Sequence, residues 1–223
     1  SRELYEYRKN TFGAERYQYT VERLGLGLKS KVLDIGCGAG YYLSILADKK
    51  IQYKGLEVAK HFVDYCKSHH QLNVASTPVE KEEDNYYDLI TMFDVLEHLS
   101  EPITTLNIIK NKLKIGGYCV AYTPNIHSIG YELMGAEQNT LLPFEHLCFF
   151  NKESLFHLAD EVGMEITKVE VFGLDIMDYL LMKEHQDNIN YIDNIKDMMN
   201  LLQSVLDKHE IGNHFRITFK KNK

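Results

Sequence analysis

The sequence predicts a doubly wound α/β fold: a seven-stranded, mainly parallel sheet with helices on both faces and a helical insertion before the last strand. Three observations predict it. Between about residues 30 and 123, short apolar runs alternate with segments of helical spacing, the rhythm of right-handed strand–helix–strand units. The first of these strands runs into the glycine-rich stretch "DIGCGAG" and then into a helix. The last segment, "HFRITFKK", alternates cleanly after a long helical stretch, which suits an antiparallel partner of the strand before it.

The elements follow in order. The N-terminus, with Tyr5, Tyr7, Tyr17 and Tyr19, reads as an amphipathic lead helix that packs on the sheet or closes over a ligand. "KVLDIG" is the first strand, and in the helix after it Tyr42, Leu43, Leu46 and Ala47 share a face. "YKGLEV" and "LNVAST" are strands around the helix "AKHFVDYCKSHH". "YYDLITMFDVLEH" opens with a fourth strand, and "EPITTLNIIKNKL" is a helix with Pro102 in its first turn, where a missing N–H costs little. "IGGYCVAYTPN" is a turn and a fifth strand. The rhythm then breaks: residues 125–150 mix Gly, Asn and Pro with aromatics and read as a structured cap with a short helix. Asn151 caps a helix through "NKESLFHLADEVGM", and "EITKVEVFGL" is the sixth strand. Residues 175–209 carry helical Met and Leu stripes, expected as core or as the seam of a homodimer.

Composition bounds the function. The 223 residues form a single domain, 1–223, long enough for a substantial core, with hydrophobic (44%) and charged (26%) fractions ordinary for a globular protein. A formal charge of -7 repels phosphate backbones and argues against nucleic acid as a partner. No apolar run reaches the length of a membrane span, and the first ten residues lack the apolar core of a signal peptide. Cys37, Cys66, Cys119 and Cys148 form no CxxC pair and read as free thiols, so a cytoplasmic location is expected.

The glycine loop carries the chemistry. Gly36, Gly38 and Gly40 allow a sharp turn and a close approach of backbone to a ligand, at a helix N-terminus that favours a negative group. Glu57 ends the second strand, about twenty residues on, where an acid accepts ribose hydroxyls. A dinucleotide site wants a glycine where this chain has Tyr41, one residue after Gly40, and Tyr41 obstructs packing around a pyrophosphate. S-adenosylmethionine has no pyrophosphate. Asp34 can face its ammonium, the loop amides its methionine portion, and Glu57 its ribose.

Together, "VLDIGCGAG", "GLEV", "YYDLITMFDVLEHLSEP" and "LKIGGYCVAYTPN" resemble the motifs of the class I S-adenosylmethionine-dependent methyltransferases, over about residues 30 to 125. The later stretch "PNIHSIGYELMG…PFEHLCFFNKESLFHLADEVGM" is similar to the small-molecule branch related to ubiquinone-biosynthesis O-methyltransferases and sugar methyltransferases. The resemblance implies a Rossmann-like methyltransferase fold. It also implies in-line transfer of a methyl from S-adenosyl-L-methionine to an O-, N- or C-nucleophile of a small metabolite, leaving S-adenosyl-L-homocysteine. By position, it places Asp34, Gly36, Gly38 and Gly40 on the methionine side, Glu57 on ribose, Val58 and Thr77 near adenine, and Phe93 and Asp94 beside the methyl, with His98 a further contact to cofactor or substrate.

Methyl transfer from a sulfonium mainly needs alignment, and a base only where the nucleophile carries a proton. His146 in "PFEHLCFF" is the first candidate base, with loop-pinning through the backbone as its alternative role, and His127 is the second. Asp94 and Asn125 lack a recognisable third ligand, so no metal is expected. Two other readings stay open. One is a protein or RNA methyltransferase, against which stand the acidic charge and "FDVLEH" in place of an N/D-P-P-Y/F motif. The other is a non-catalytic, S-adenosylmethionine-binding subunit that docks through 175–209.

Overall fold

Seven strands build one sheet in the computed structural model, which describes residues 1–142 and 144–223. They are β1 (Lys31–Ile35), β2 (Gln52–Leu56), β3 (Val74–Ala75), β4 (Tyr87–Phe93), β5 (Leu113–Pro124), β6 (Glu165–Phe172) and β7 (His214–Lys220). Their order is β3-β2-β1-β4-β5-β7-β6, parallel except for β7, which runs antiparallel to both neighbours. This is the expected sheet. The strand order reverses at β1 and β4, and a crevice opens at their carboxyl ends, where open α/β sheets bind ligands.

The central strands are apolar on both faces because helices cover both. On one face Leu33, Ile90, Met92 and Phe219 pack with Leu106 of α5 (Pro102–Lys112) and Leu155 of α7 (Lys152–Val162). On the other, Val32, Leu89 and Phe93 pack with Leu43 of α3 (Tyr41–Asp48) and Val63 of α4 (Lys60–His70). Asn151 caps α7 in a reciprocal capping box with Ser154, as its position predicts.

The third strand is shorter than its sequence suggests. β2 ends at Leu56, and the Glu57 N–H already bonds to the Ala75 carbonyl (3.0 Å), so no neighbouring backbone remains for Ser76 and Thr77. Thr77 therefore lies in an exposed loop beyond β3 and not at its end.

The lead helix runs continuously over residues 2–22, with α1 (Arg2–Arg8) and α2 (Ala14–Tyr17) separated and followed by π-type turns at Lys9–Gly13 and Gln18–Glu22. It lies on the start of α3. Tyr5 is buried and shares a hydrogen bond with Ser44 (2.6 Å), and a Cβ at Gly13 would meet the Tyr41 carbonyl at 2.6 Å. Ion pairs of Glu15 with Arg216 and of Arg23 with Glu170 tie its far half to β7 and β6.

The cap contains α6 (Ile129–Met134), and the insertion is a pair of helices, α8 (Asp175–Asp187) and α9 (Ile192–Lys208). Asp175 anchors the pair: its carboxylate accepts from Gly130 N–H (3.2 Å), Asn213 N–H (2.9 Å) and Gln203 Nε2 (3.0 Å). Met198, Leu201 and Val205 of the α9 stripe are exposed. Among the described residues, no helix is long and apolar enough to cross a membrane. All four cysteines are free thiols.

Candidate active site

The glycine loop is a folded object before any ligand arrives. The amides of Gly36 and Cys37 both donate to the Leu56 carbonyl (2.8 and 3.1 Å), and Gly40 N–H donates to the Cys37 carbonyl (2.9 Å). Gly38 N–H donates to Glu57 Oε2 (2.8 Å), while Ala59 N–H donates to Glu57 Oε1 (2.8 Å). These four loop amides, expected to contact the methionine portion, are thus committed to holding the loop. The three glycines also divide their work. A Cβ on Gly36 would meet Val95 Cγ2 at 2.5 Å, and one on Gly40 would meet Leu72 Cδ1 at 2.5 Å and Cys66 Sγ at 3.0 Å. A Cβ on Gly38 would meet open space, so of the three only Gly38 leaves room for a close approach at its Cα.

Two carboxylates flank that space. Glu57 is buried, and the two amides fix its orientation while leaving each oxygen a further lone pair for a hydroxyl. Val58, beside it, projects with 93% exposure, an apolar surface suited to a flat ring. Asp34 is 2% exposed on β1 and accepts from Thr91 Oγ1 (2.7 Å). Burial pushes its carboxyl up to about 7, against the opposing pulls of the Thr91 hydrogen bond and of Arg16. A buried acid of this kind awaits a cation, and an ammonium group supplies one.

At the end of β4, Phe93 is buried with its ring edge-on to Tyr42 and Tyr122 (centroids 5.2 and 4.8 Å apart), and Arg16 lies over it at 4.4 Å. Phe93 is therefore part of the core, the alternative to a place beside the methyl. Asp94 turns the chain out of the strand in a left-handed conformation (φ 57°) and lies 3.4 Å from Arg16 Nη2 and 3.8 Å from His214 Nε2. A cleft of about 460 Å³ opens beside Asp94, walled by Phe12 and Arg16 from the lead helix, Tyr122, Asn139, Phe172 and His214.

The expected bases separate. His146 is buried with Nδ1 held by the Thr140 carbonyl (2.8 Å), the loop-pinning role named as its alternative. His127 is exposed and does not line the cleft; its backbone turns on Asn125 Oδ1 (3.0 Å). His98 is exposed, with Nδ1 on the Glu145 carbonyl (2.7 Å) and its ring 4.7 Å from that of His146. Glu97 is buried, accepts from Thr123 Oγ1 (3.0 Å), and is pushed by burial up to about 7. One donor atom each from Glu97, His98 and His146 lie within 4.8 Å of one another, close enough for one divalent ion. Sequence reading sought metal ligands at Asp94 and Asn125 and expected none; the fold gathers a different trio.

Arg16, Tyr122, Asn213 and His214 are among the cleft residues that sequence reading missed. His214 had a usable signal. An antiparallel last strand starts where its parallel neighbours end, and Pro124 pairs with His214 in the register.

Fold, glycine loop and paired acids together define a Rossmann-like, S-adenosylmethionine-binding protein. The methyltransferase-domain family matches residues 7–169, and the chain belongs to it: it is an S-adenosylmethionine-dependent methyltransferase. It is similar to the ubiquinone biosynthesis O-methyltransferase of Nitrosospira multiformis, 26% identical over 175 residues, which are 72% of this chain and 73% of that one. It superposes on a SAM-dependent methyltransferase from Archaeoglobus fulgidus with a TM-score of 0.67 at 20% identity, covering 96% of this chain and 94% of the other. The S-adenosyl-L-methionine complex of Haemonchus contortus phosphoethanolamine N-methyltransferase 2 aligns at a TM-score of 0.61 and 17% identity, covering 94% of this chain and 53% of the other.

Proposed function

We propose that this methyltransferase O-methylates a hydroxyl on a small, aromatic-ring acceptor. The observation that carries the reading is the cleft beside Asp94: aromatic on one side through Phe12, Tyr122 and Phe172, polar on the other through Arg16, Asn139 and His214. An aromatic wall seats a ring, and the polar groups orient its hydroxyls. Similarity to O-methyltransferases of ubiquinone biosynthesis supports the same class of acceptor.

In this reading Asp34 faces the ammonium of the methyl donor, Glu57 its ribose hydroxyls and Val58 its adenine. S-adenosyl-L-methionine supplies a methyl already activated by positive sulfur. What the protein adds is alignment, which is worth about 7–11 kcal/mol when reacting atoms are held in line. The lead helix, pinned at both ends, closes one side of the cleft and keeps water from the line of transfer.

The test is calorimetric titration with S-adenosyl-L-methionine, then S-adenosyl-L-homocysteine release over a panel of phenols, catechols, amines and sugars. Turnover on phenols or catechols is expected; turnover on amines or sugars alone sinks the reading. The trio Glu97, His98 and His146 favours one addition, a divalent ion held behind Thr140, which lines the cleft. Each imidazole already gives Nδ1 to a carbonyl, the usual support of a ligating histidine. Dialysis against EDTA then lowers turnover and Mn²⁺ or Zn²⁺ restores it; unchanged turnover after dialysis removes the ion.

A further inference from the structure

We infer that His214 is the general base of the reaction, taking the proton of the acceptor hydroxyl on Nε2; this rests on the O-methylation reading above. Asn213 is fully buried. Its Oδ1 accepts from the backbone N–H of Leu174 (3.3 Å), which identifies that atom as the oxygen, and its Nδ2 donates to Asp178 Oδ2 (2.8 Å). The same Oδ1 lies 2.8 Å from His214 Nδ1. An oxygen acceptor there requires Nδ1 to carry the hydrogen, so the lone pair sits on Nε2. Nε2 is on the Asp94 side, 3.8 Å from Oδ1, and the ring lines the cleft.

The orienting group is itself held. Asn213 N–H donates to Asp175 Oδ2 (2.9 Å) and its carbonyl accepts from Asn125 N–H (2.8 Å), so α8, the cap and β7 all fix it. A nucleophile's base oriented by a third, immobile group is the arrangement that proton abstraction needs. Burial also lowers the affinity of His214 for a proton, which keeps the ring neutral. The charged groups that act on it are Asp94 from the end of β4, Asp175 from α8 and His146 from the cap, while Arg16 of the lead helix offsets Asp94 and Asp178 reaches it through Asn213.

The step balances. The acceptor O–H proton passes to Nε2 as the oxygen bonds to the methyl carbon. The carbon–sulfur pair stays on sulfur, which becomes neutral, and the imidazolium then releases its proton to solvent.

The experiment uses the full chain, with 3,4-dihydroxybenzoate and other catechols as acceptors at saturating S-adenosyl-L-methionine. His214→Gln is expected to lower kcat by about 10²- to 10⁴-fold, to leave cofactor Kd within twofold, and to flatten the acid limb of the kcat profile. Nitrogen-15 NMR of the wild type should show an Nδ1–H tautomer for the signal that His214→Gln removes. An Nε2–H tautomer, or a variant that keeps kcat and the acid limb, overturns the assignment. A variant that loses cofactor affinity in parallel with kcat also overturns it, because the role is then structural. A wild type idle on every phenol and catechol sinks the parent reading, and this assignment falls with it.

Discussion

In the proposed reading, the cofactor side of the site and the acceptor side are built differently. On the cofactor side, Asp34 lies in β1, Gly38 in the loop after it and Glu57 just past β2, and the strand ladder and two backbone amides hold them in place. On the acceptor side, Arg16, Asp94, Tyr122 and His214 come from the lead helix, two strand ends and the last strand; the Asp94 N–H bonds the Tyr122 carbonyl (3.1 Å), but the groups that face the cleft meet through side chains. A backbone-built site tolerates little change in shape and accepts one ligand. A side-chain-built site can be re-lined without disturbing the sheet, which is how one fold serves many acceptors.

That contrast can be broken by mutation. The largest effect is expected at Gly36. An Ala Cβ would press on Val95 from a left-handed backbone (φ 70°). Overpacking costs about 1–3 kcal/mol and the conformation about 1–2 kcal/mol, so urea unfolding should show a loss of about 2–5 kcal/mol for Gly36→Ala. Gly38→Ala meets no atom and should lose only the conformational part, with cofactor affinity suffering more than stability. Equal destabilisation by both would erase the division of labour between the glycines.

Next comes Glu57→Gln. The substitution sets an amide N–H₂ against one of two backbone donors and removes the charge offered to ribose. A charged hydrogen bond is worth about 1.5–3 kcal/mol, so calorimetry should show cofactor Kd raised about tenfold or more. His214→Gln should leave that Kd alone. If Glu57→Gln spares Kd, the cofactor side has been misplaced.

The smallest effect concerns pH. Asp34 in the ligand-free fold is raised to about 7, above an ordinary carboxyl. Folded chains therefore hold a proton that unfolded chains release, and this contribution to stability is full below about pH 4 and lost as pH rises through about 7. A bound ammonium reverses the preference and favours the ionised carboxylate. Cofactor affinity should then rise with pH toward 7, by at most about tenfold per unit, with proton release visible as a buffer-dependent binding heat. Asp34→Asn should remove that slope, and an unchanged slope in the variant would assign it to another group.

The sequence was most legible where contacts are local. "DIGCGAG" and Glu57 were readable because one loop and the next strand's end make the site between them, joined by hydrogen bonds between close neighbours in the sheet. Thr77 was misplaced because strand length depends on the partner, and β2 ends too soon. His146 and His127 stood out as histidines in an irregular cap, but nothing local distinguishes one that holds a loop from one that faces a ligand.

The chain alone determined the fold class, the strand order's cofactor end and the methyl donor, because periodicity and glycine spacing act over a few residues. Tertiary structure alone decided the acceptor side. It took an antiparallel last strand to carry His214 to the carboxyl edge, a lead helix to lay Arg16 against Asp94, and a folded cap to bring His146 beside Glu97 and His98. Those contacts join side chains far apart in sequence, and their distances are set by packing across the sheet, which no short pattern records.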